Sequence, residues 1–188
     1  MKAAFLDDHG GPDAFAVREH DLPPPGADQI RVRHNAIGLN FFDIYQRKGL
    51  YPVALPAILG SEAAGIVEAV GTGVTAFQKG DRIAYIAAGG AYAQAANVAA
   101  ASAAKIPDNV SDETAAAVFL KGLTVEMLVR QVYALKAGEA CLVHAAAGGV
   151  GTLLCQWAHH IGAQVIAVVG SEKKAPIAKE NGANDVIV

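Results

Sequence analysis

Polar and apolar residues alternate from Gln29 to Ile37. Ile30, Val32 and His34 fall on one side of an extended chain, and Arg31, Arg33 and Asn35 on the other. That period predicts a half-buried strand. Shorter apolar runs predict further strands at Met1 to Leu6, Phe15 to Glu19, Ala63 to Val70 and Arg82 to Ile86. They are separated by turn clusters: Asp7-Asp8-His9-Gly10-Gly11-Pro12, Gly71-Thr72-Gly73 and Lys79-Gly80-Asp81. Leu22-Pro23-Pro24-Pro25-Gly26 excludes helix and central strand, because each proline lacks a backbone donor. Phe41 to Arg47 has room for one or two helical turns before Gly49. Short strands between Gly and Pro turns suggest a partly open β-barrel over the first hundred or so residues.

The pattern changes near Asn109. Ser111 predicts a helix N-cap, with Asp112 and Glu113 at the positive end of its dipole. Helical periodicity reaches about Leu135, with an interruption expected at Gly122, and Lys136-Ala137-Gly138-Glu139 ends it. An α/β rhythm follows: strand Ala140 to Ala145, helix Gly149 to Ile161, strand Gln164 to Val169, helix Glu172 to Glu180, and the start of a strand at Asp185 to Val188. This order predicts a parallel sheet with right-handed crossovers. The fold class read from the chain is therefore α/β plus β, with a barrel-like domain over 1–120 and a parallel-sheet domain over 121–188.

Composition narrows the function. The 188 residues are 53% hydrophobic and 18% charged, which excludes a disordered chain. A net charge of −3 with no basic block argues against nucleic acid as the main partner. Cys141 and Cys155 lie far apart and form no CxxC pair, so a disulfide framework is not expected. No signal-peptide pattern opens the chain, and Gly, Pro or charge breaks every Ala-rich stretch. The expectation is a cytoplasmic protein with no membrane partner.

The strongest chemical signal is Val143-His144-Ala145-Ala146-Ala147-Gly148-Gly149-Val150-Gly151, which leaves a strand and opens a helix. Against a GxGxxG fingerprint, Ala146 replaces the first glycine, while Gly148 and Gly151 keep the other two. Gly148 lets the backbone approach a pyrophosphate, Gly151 lets helix and strand pack closely, and the helix N-terminus offers N–H donors. The alternative is a tight turn without a ligand. The next strand ends in Val169-Gly170-Ser171-Glu172-Lys173-Lys174. An NAD enzyme usually places an acid there for the ribose hydroxyls. Here a hydroxyl and two ammonium groups stand instead, and they suit a 2′-phosphate, so NADPH is expected over NADH. The alternative is a solvated helical turn, with Glu172 as local partner for the lysines.

His144 to Gly151, together with Phe119-Leu120-Lys121-Gly122-Leu123-Thr124, resembles the quinone oxidoreductase (zeta-crystallin) branch of the medium-chain dehydrogenase/reductase superfamily. Ala36-Ile37-Gly38-Leu39-Asn40-Phe41-Phe42-Asp43, Gly49-Leu50-Tyr51-Pro52 and Gly60-Ser61-Glu62-Ala63-Ala64-Gly65-Ile66-Val67 carry the same resemblance. It implies a GroES-like catalytic domain followed by a Rossmann domain (a doubly wound parallel sheet), with the active site in the cleft between them. It also implies reduction of quinones by NADPH, through hydride or single-electron transfer. Carried over by position, Asn40, Tyr45 and Tyr51 are the catalytic candidates. Asn40, Tyr45, Thr124, Ala147, Gly148, Gly149, Val150, Gly151, Gly170, Ser171, Lys173 and Lys174 are the cofactor-binding ones. Tyr51 would bond to or stack on a quinone, or simply pack its loop. Asp43 would orient the local loop, Glu62 and Lys121 are read as structural, and Cys141, Cys155 and Trp157 as packing residues.

Zinc-dependent relatives carry a cysteine near Asn40 and a Gly-His-Glu motif. This chain has Gly38-Leu39-Asn40-Phe41 and Gly60-Ser61-Glu62, and no cysteine before Cys141. His9, His20 and His34 lack ligand spacing, and His159-His160 point apart on a helix. No metal is expected. Family members are well over half as long again, so the chain reads as a fragment ending in the third Rossmann strand. On that reading the second half of the Rossmann sheet, the return to the catalytic domain and a homodimer contact belong to the longer protein. The fragment alone should bind NADPH weakly and show almost no turnover, and one edge of the Ala140 to Ala145 strand should be left open. Reduction of enones or other activated double bonds, and a non-catalytic nucleotide-binding or crystallin-type role, are the competing readings.

Overall fold

A computed structural model describes residues 1–188. The chain divides into two compact units, Met1–Leu120 and Lys121–Val188.

The first unit is built from antiparallel strands. β1 (Lys2–Leu6) pairs with β2 (Phe15–Glu19) and with the two-residue β4 (Ala57–Ile58). A second sheet has the order β7-β3-β5-β6-β8, from β3 (Gln29–Gly38), β5 (Glu62–Val70), β6 (Arg82–Ile86), β7 (Ala95–Ala99) and β8 (Ala103–Lys105). The strands form no closed barrel. Between β3 and β4 lies the helix α1 (Phe41–Arg47).

The alternation in β3 has its expected effect. Ile30 and Val32 are fully buried, against Ala63, Val67, Ile83, Tyr85 and Val98. Two irregularities in the β3–β5 register, at Arg31/Val32 and at His34/Ala36, bend the strand. β4, β7 and β8 have no counterpart in the sequence pattern. Each is short, and Ala95-Ala96-Asn97-Val98-Ala99 shows no alternation.

His34 is part of this core. Its Nδ1 lies 2.7 Å from the Ala93 carbonyl and its Nε2 2.8 Å from the Tyr85 hydroxyl. The carbonyl can only accept, so Nδ1 carries the proton, and Nε2 accepts from Tyr85 O–H. Burial pushes the pKa of His34 below its ordinary 6.5, and the Ala93 hydrogen bond opposes that only in part. The unfolded chain therefore takes up a proton more readily than the folded one. The stability held by the neutral ring is present above pH 6.5 and falls as the pH drops towards the lowered value. The urea midpoint of the protein should decline from about pH 6.5 downwards. His34→Gln, which keeps one donor and one acceptor, should flatten that decline. An unchanged slope would assign the acid sensitivity elsewhere.

α2 (Asp112–Glu126) begins as expected, with Thr114 N–H donating to Ser111 Oγ at 3.1 Å. Asp112 is anchored by Arg82 at 2.7 Å and Asn35 at 2.6 Å. The helix passes through Gly122 without interruption, since a single glycine costs a helix interior only about 1 kcal/mol. It ends sooner than periodicity suggests. Met127–Val132 widens into a π-helical turn, and the chain is extended at Tyr133.

The second unit carries a three-stranded parallel sheet in the order β11-β10-β9, from β9 (Ala140–His144), β10 (Gln164–Val168) and β11 (Asp185–Ile187). α3 (Gly149–Ile161) follows β9 and stops where Gly162 turns left-handed at φ 90°. Cys155, Ala158, Val165, Ala167 and Ala178 are buried together beneath it. As an edge strand, β9 leaves Leu142 54% exposed. The helix expected over Glu172 to Glu180 is two pieces, a 3₁₀ turn Glu172–Lys174 and α4 (Ala175–Glu180). Pro176 has no N–H to continue an upstream helix, so the α-helix starts around it.

Candidate functional site

In the first unit, α1 sets up one cluster. Asn40 stands at its N-terminus, where its main-chain N–H donates to Asp43 Oδ2 at 3.0 Å and its side-chain Nδ2 donates to Glu62 Oε1 at 2.9 Å. Asp43 is buried and also accepts from Ser61 Oγ at 2.6 Å and from Tyr92 O–H at 3.1 Å. Burial, and after it the Asp43 carboxylate, raise the pKa of Tyr92 well above its ordinary value, so it stays a donor. Asp43 thus ties α1 to the turn before β5 and to the Tyr92 segment, the orienting role expected of it. Tyr92 and Ser61 have no local sequence signal for this, lying 49 and 18 residues away.

Tyr45 and Tyr51 meet edge to face, with ring centroids 5.3 Å apart. Phe42 packs against Tyr51 with tilted rings 5.6 Å apart, and Phe41 against Tyr45 at 6.2 Å. Main-chain bonds from Leu50 and Tyr51 to the Tyr45 carbonyl close the turn that brings these rings together. Tyr45 and Tyr51 remain 36% and 46% exposed, so both keep a face for a ligand. Phe41 and Phe42 join this group although sequence reasoning gave them no role.

In the second unit, β9 runs into α3 through a tight turn. Ala145 adopts φ 50°, the left-handed region that a residue with a Cβ enters at a cost. Gly151 is a necessity of packing. A Cβ there would lie 2.3 Å from the Ala145 carbonyl oxygen and 2.7 Å from Ala146 Cα. Gly148 is the α3 N-cap, extended, with no side chain capping the helix. The first N–H groups of α3, at Gly149, Val150 and Gly151, therefore form an array for an anion at the positive end of the dipole. The alkyl stem of Lys121 lies over Gly149, about 3.0 Å from where a Cβ would be. Thr124 is half-buried on α2.

Because β9 and β10 are parallel, with Val168 opposite His144, their carboxyl ends share one edge of the sheet. The glycine turn and the segment Gly170, Ser171, Lys173 and Lys174 are thereby placed at the same edge. Both lysines are exposed, and no ion pair in the chain involves either of them. Glu172 is thus not their partner. An uncapped helix N-terminus and two ammonium groups outside any ion pair are the chemistry that the pyrophosphate and 2′-phosphate of NADPH call for.

A zinc ion does not fit the first cluster. The Asn40 amide is committed to Glu62 and the Ser61 hydroxyl to Asp43, and neither is a thiolate or imidazole ligand of the kind zinc takes. No group of three or more His, Cys, Asp or Glu side chains assembles elsewhere. No helix is long and apolar enough to cross a membrane.

Residues 26–108 match the alcohol dehydrogenase GroES-like domain family, and residues 149–188 match the zinc-binding dehydrogenase family. A quinone oxidoreductase of Pseudomonas aeruginosa is 50% identical over 181 residues, 95% of this chain and 56% of that protein. A 2-haloacrylate reductase of a Burkholderia species is 40% identical, over all of this chain and 58% of its own length. The crystal structure of Escherichia coli quinone oxidoreductase complexed with NADPH superposes with a TM-score of 0.97 at 47% identity, covering 100% of this chain and 58% of that one. The chain thus spans little more than half the length of these relatives.

Proposed function

Because this chain belongs to the medium-chain dehydrogenase/reductase superfamily, we propose that it is the catalytic domain and the first half of the cofactor domain of an NADPH-dependent quinone reductase that works without zinc. The observation that carries this reading is the uncapped glycine turn at α3, at one sheet edge with Lys173 and Lys174. Gly149, Val150 and Gly151 hold the pyrophosphate through main-chain N–H groups, and Ala147 and Gly148, whose N–H closes the turn on the Ala145 carbonyl, shape its approach. Gly170 leaves open space beside the ribose, Ser171 hydrogen-bonds to it, and the two lysines neutralise its 2′-phosphate.

NADPH supplies the hydride. The residues of this chain position the partners. With the cofactor bound, Asn40, Tyr45 and Thr124 would serve its nicotinamide end, and Tyr51 would offer a face and a hydroxyl to the acceptor. A quinone is already electron-poor, so alignment supplies what a metal-dependent relative obtains from a Lewis acid. The whole protein is read as a cytoplasmic homodimer acting on small quinones. The similarity to a 2-haloacrylate reductase supports a second reading, in which the acceptor is an activated double bond in the same position.

Lys173→Ala/Lys174→Ala should weaken NADPH binding by about tenfold, roughly 1.4 kcal/mol, and leave NADH binding nearly unchanged. Titration by cofactor fluorescence measures both. Equal weakening of the two cofactors would remove the 2′-phosphate assignment. Steady-state comparison of 1,4-benzoquinone with 2-chloroacrylate separates the two acceptors.

A further inference from the structure

Asn40 is gripped at both ends by buried carboxylates, one on its main-chain N–H and one on its side chain. Glu62 is fully buried, and its oxygens divide their work: Oε1 accepts from Asn40 Nδ2 at 2.9 Å and Oε2 from Leu120 N–H at 2.7 Å. The backbone makes room for this carboxylate. A Cβ at position 38 would lie 2.2 Å from Glu62 Cγ and 2.5 Å from the Ala116 carbonyl oxygen, and Gly38 leaves that space open.

A carboxamide has two orientations of nearly equal shape, which differ only in exchanging its oxygen and nitrogen. A carboxylate accepts and does not donate, so it tolerates only the nitrogen of Asn40 against it. The charge is desolvated, so the wrong orientation would set two acceptors face to face in a buried site. We propose that Glu62 is the positioning residue for Asn40. It selects one flip of the carboxamide and so decides which hydrogen-bonding edge Asn40 offers to the bound cofactor and acceptor. This rests on the assignment of Asn40 to the nicotinamide end. It gives Glu62 a part in the reaction through Asn40, beyond holding α2.

The test is a double-mutant cycle on the purified protein. Glu62→Gln keeps an acceptor for Leu120 N–H but turns an amide towards position 40, which favours the opposite flip of Asn40. It should lower kcat/KM for NADPH between about tenfold and a hundredfold. Asn40→Ala should lower it at least as much, and the double variant should be no worse than Asn40→Ala alone. If the double variant shows the product of the two losses, Glu62 does not act through Asn40. If Asn40→Ala leaves kcat/KM unchanged, the assignment of Asn40 itself fails, and the role of Glu62 falls with it.

A readout without cofactor is the Asn40 side-chain amide resonance in nitrogen-labelled protein, which should lose its charge-assisted downfield shift in Glu62→Gln. Should that variant fail to fold, Asn40→Asp/Glu62→Gln restores the bond with donor and acceptor exchanged. It should fold and still turn over no better than Asn40→Ala. Recovery to the native rate would show that the direction of the bond does not matter, and would overturn the proposal.

Discussion

Gly151→Val should abolish detectable NADPH binding, raising the dissociation constant by about a hundredfold or more, the equivalent of roughly 2.7 kcal/mol. The atoms in the way of a new side chain are backbone: the Ala145 carbonyl oxygen at 2.3 Å, Ala146 Cα at 2.7 Å and Ala146 C at 2.9 Å. No rotamer change relieves such a contact, so the first turn of α3 must lift off the end of β9. Overpacking of this kind costs about 1–3 kcal/mol in stability. The larger loss is functional, because lifting the helix disperses the N–H array. Gly148→Ala separates the two effects. Its Cβ would meet one carbonyl oxygen at 3.1 Å, a contact that a small shift absorbs. That variant should melt close to the native protein and still bind NADPH less tightly, because the methyl group occupies the approach of the pyrophosphate. Native-like binding by Gly151→Val would show that the phosphates sit elsewhere.

Asp43→Ala carries the second large effect. The substitution removes a buried carboxylate that accepts from the Asn40 main chain, Ser61 Oγ and Tyr92 O–H, and leaves all three donors without it. Each buried donor left unsatisfied costs about 1–3 kcal/mol, so the three together cost about 3 kcal/mol or more, a large share of the roughly 5–15 kcal/mol that holds a protein folded. Urea denaturation should report a loss of that size. Asp43→Asn, with one acceptor oxygen left, should fall between. A loss below about 1 kcal/mol for the alanine variant, the worth of one ordinary hydrogen bond, would mean that α1 and the β5 turn are held by apolar packing alone.

These two sites differ in how far the sequence reveals them. The α3 cradle is local. Gly148 opens the helix, Gly162 closes it in the left-handed region, and the bounds Gly149 and Ile161 follow from that punctuation. The α1 cluster is assembled from afar. Resemblance singled out Asn40, Tyr45 and Tyr51, yet the partners that orient Asn40 and Asp43 come from two other segments, Ser61-Glu62 and Tyr92. No periodicity links Asp43 to Tyr92 or Asn40 to Glu62, because the pairing of β3 with β5 and the return of the chain at Tyr92 bring them together. The short strands Ala57–Ile58, Ala95–Ala99 and Ala103–Lys105 escaped notice for a related reason. Their alanines carry little signal of their own, and neighbouring strands decide their conformation. The split of Glu172 to Glu180 into two helical pieces was legible in principle, since Pro176 stands in its middle.

The proposed reduction of quinones by NADPH rests on positioning alone and needs no metal. It is measured as steady-state oxidation of NADPH by 1,4-benzoquinone with the purified longer protein to which this chain is proposed to belong, in parallel with NADH and with a strong chelator present throughout. Turnover with NADPH that the chelator does not touch is expected, with a clearly lower kcat/KM with NADH. Turnover that disappears with the chelator and returns on adding zinc, or a preference for NADH, would contradict it.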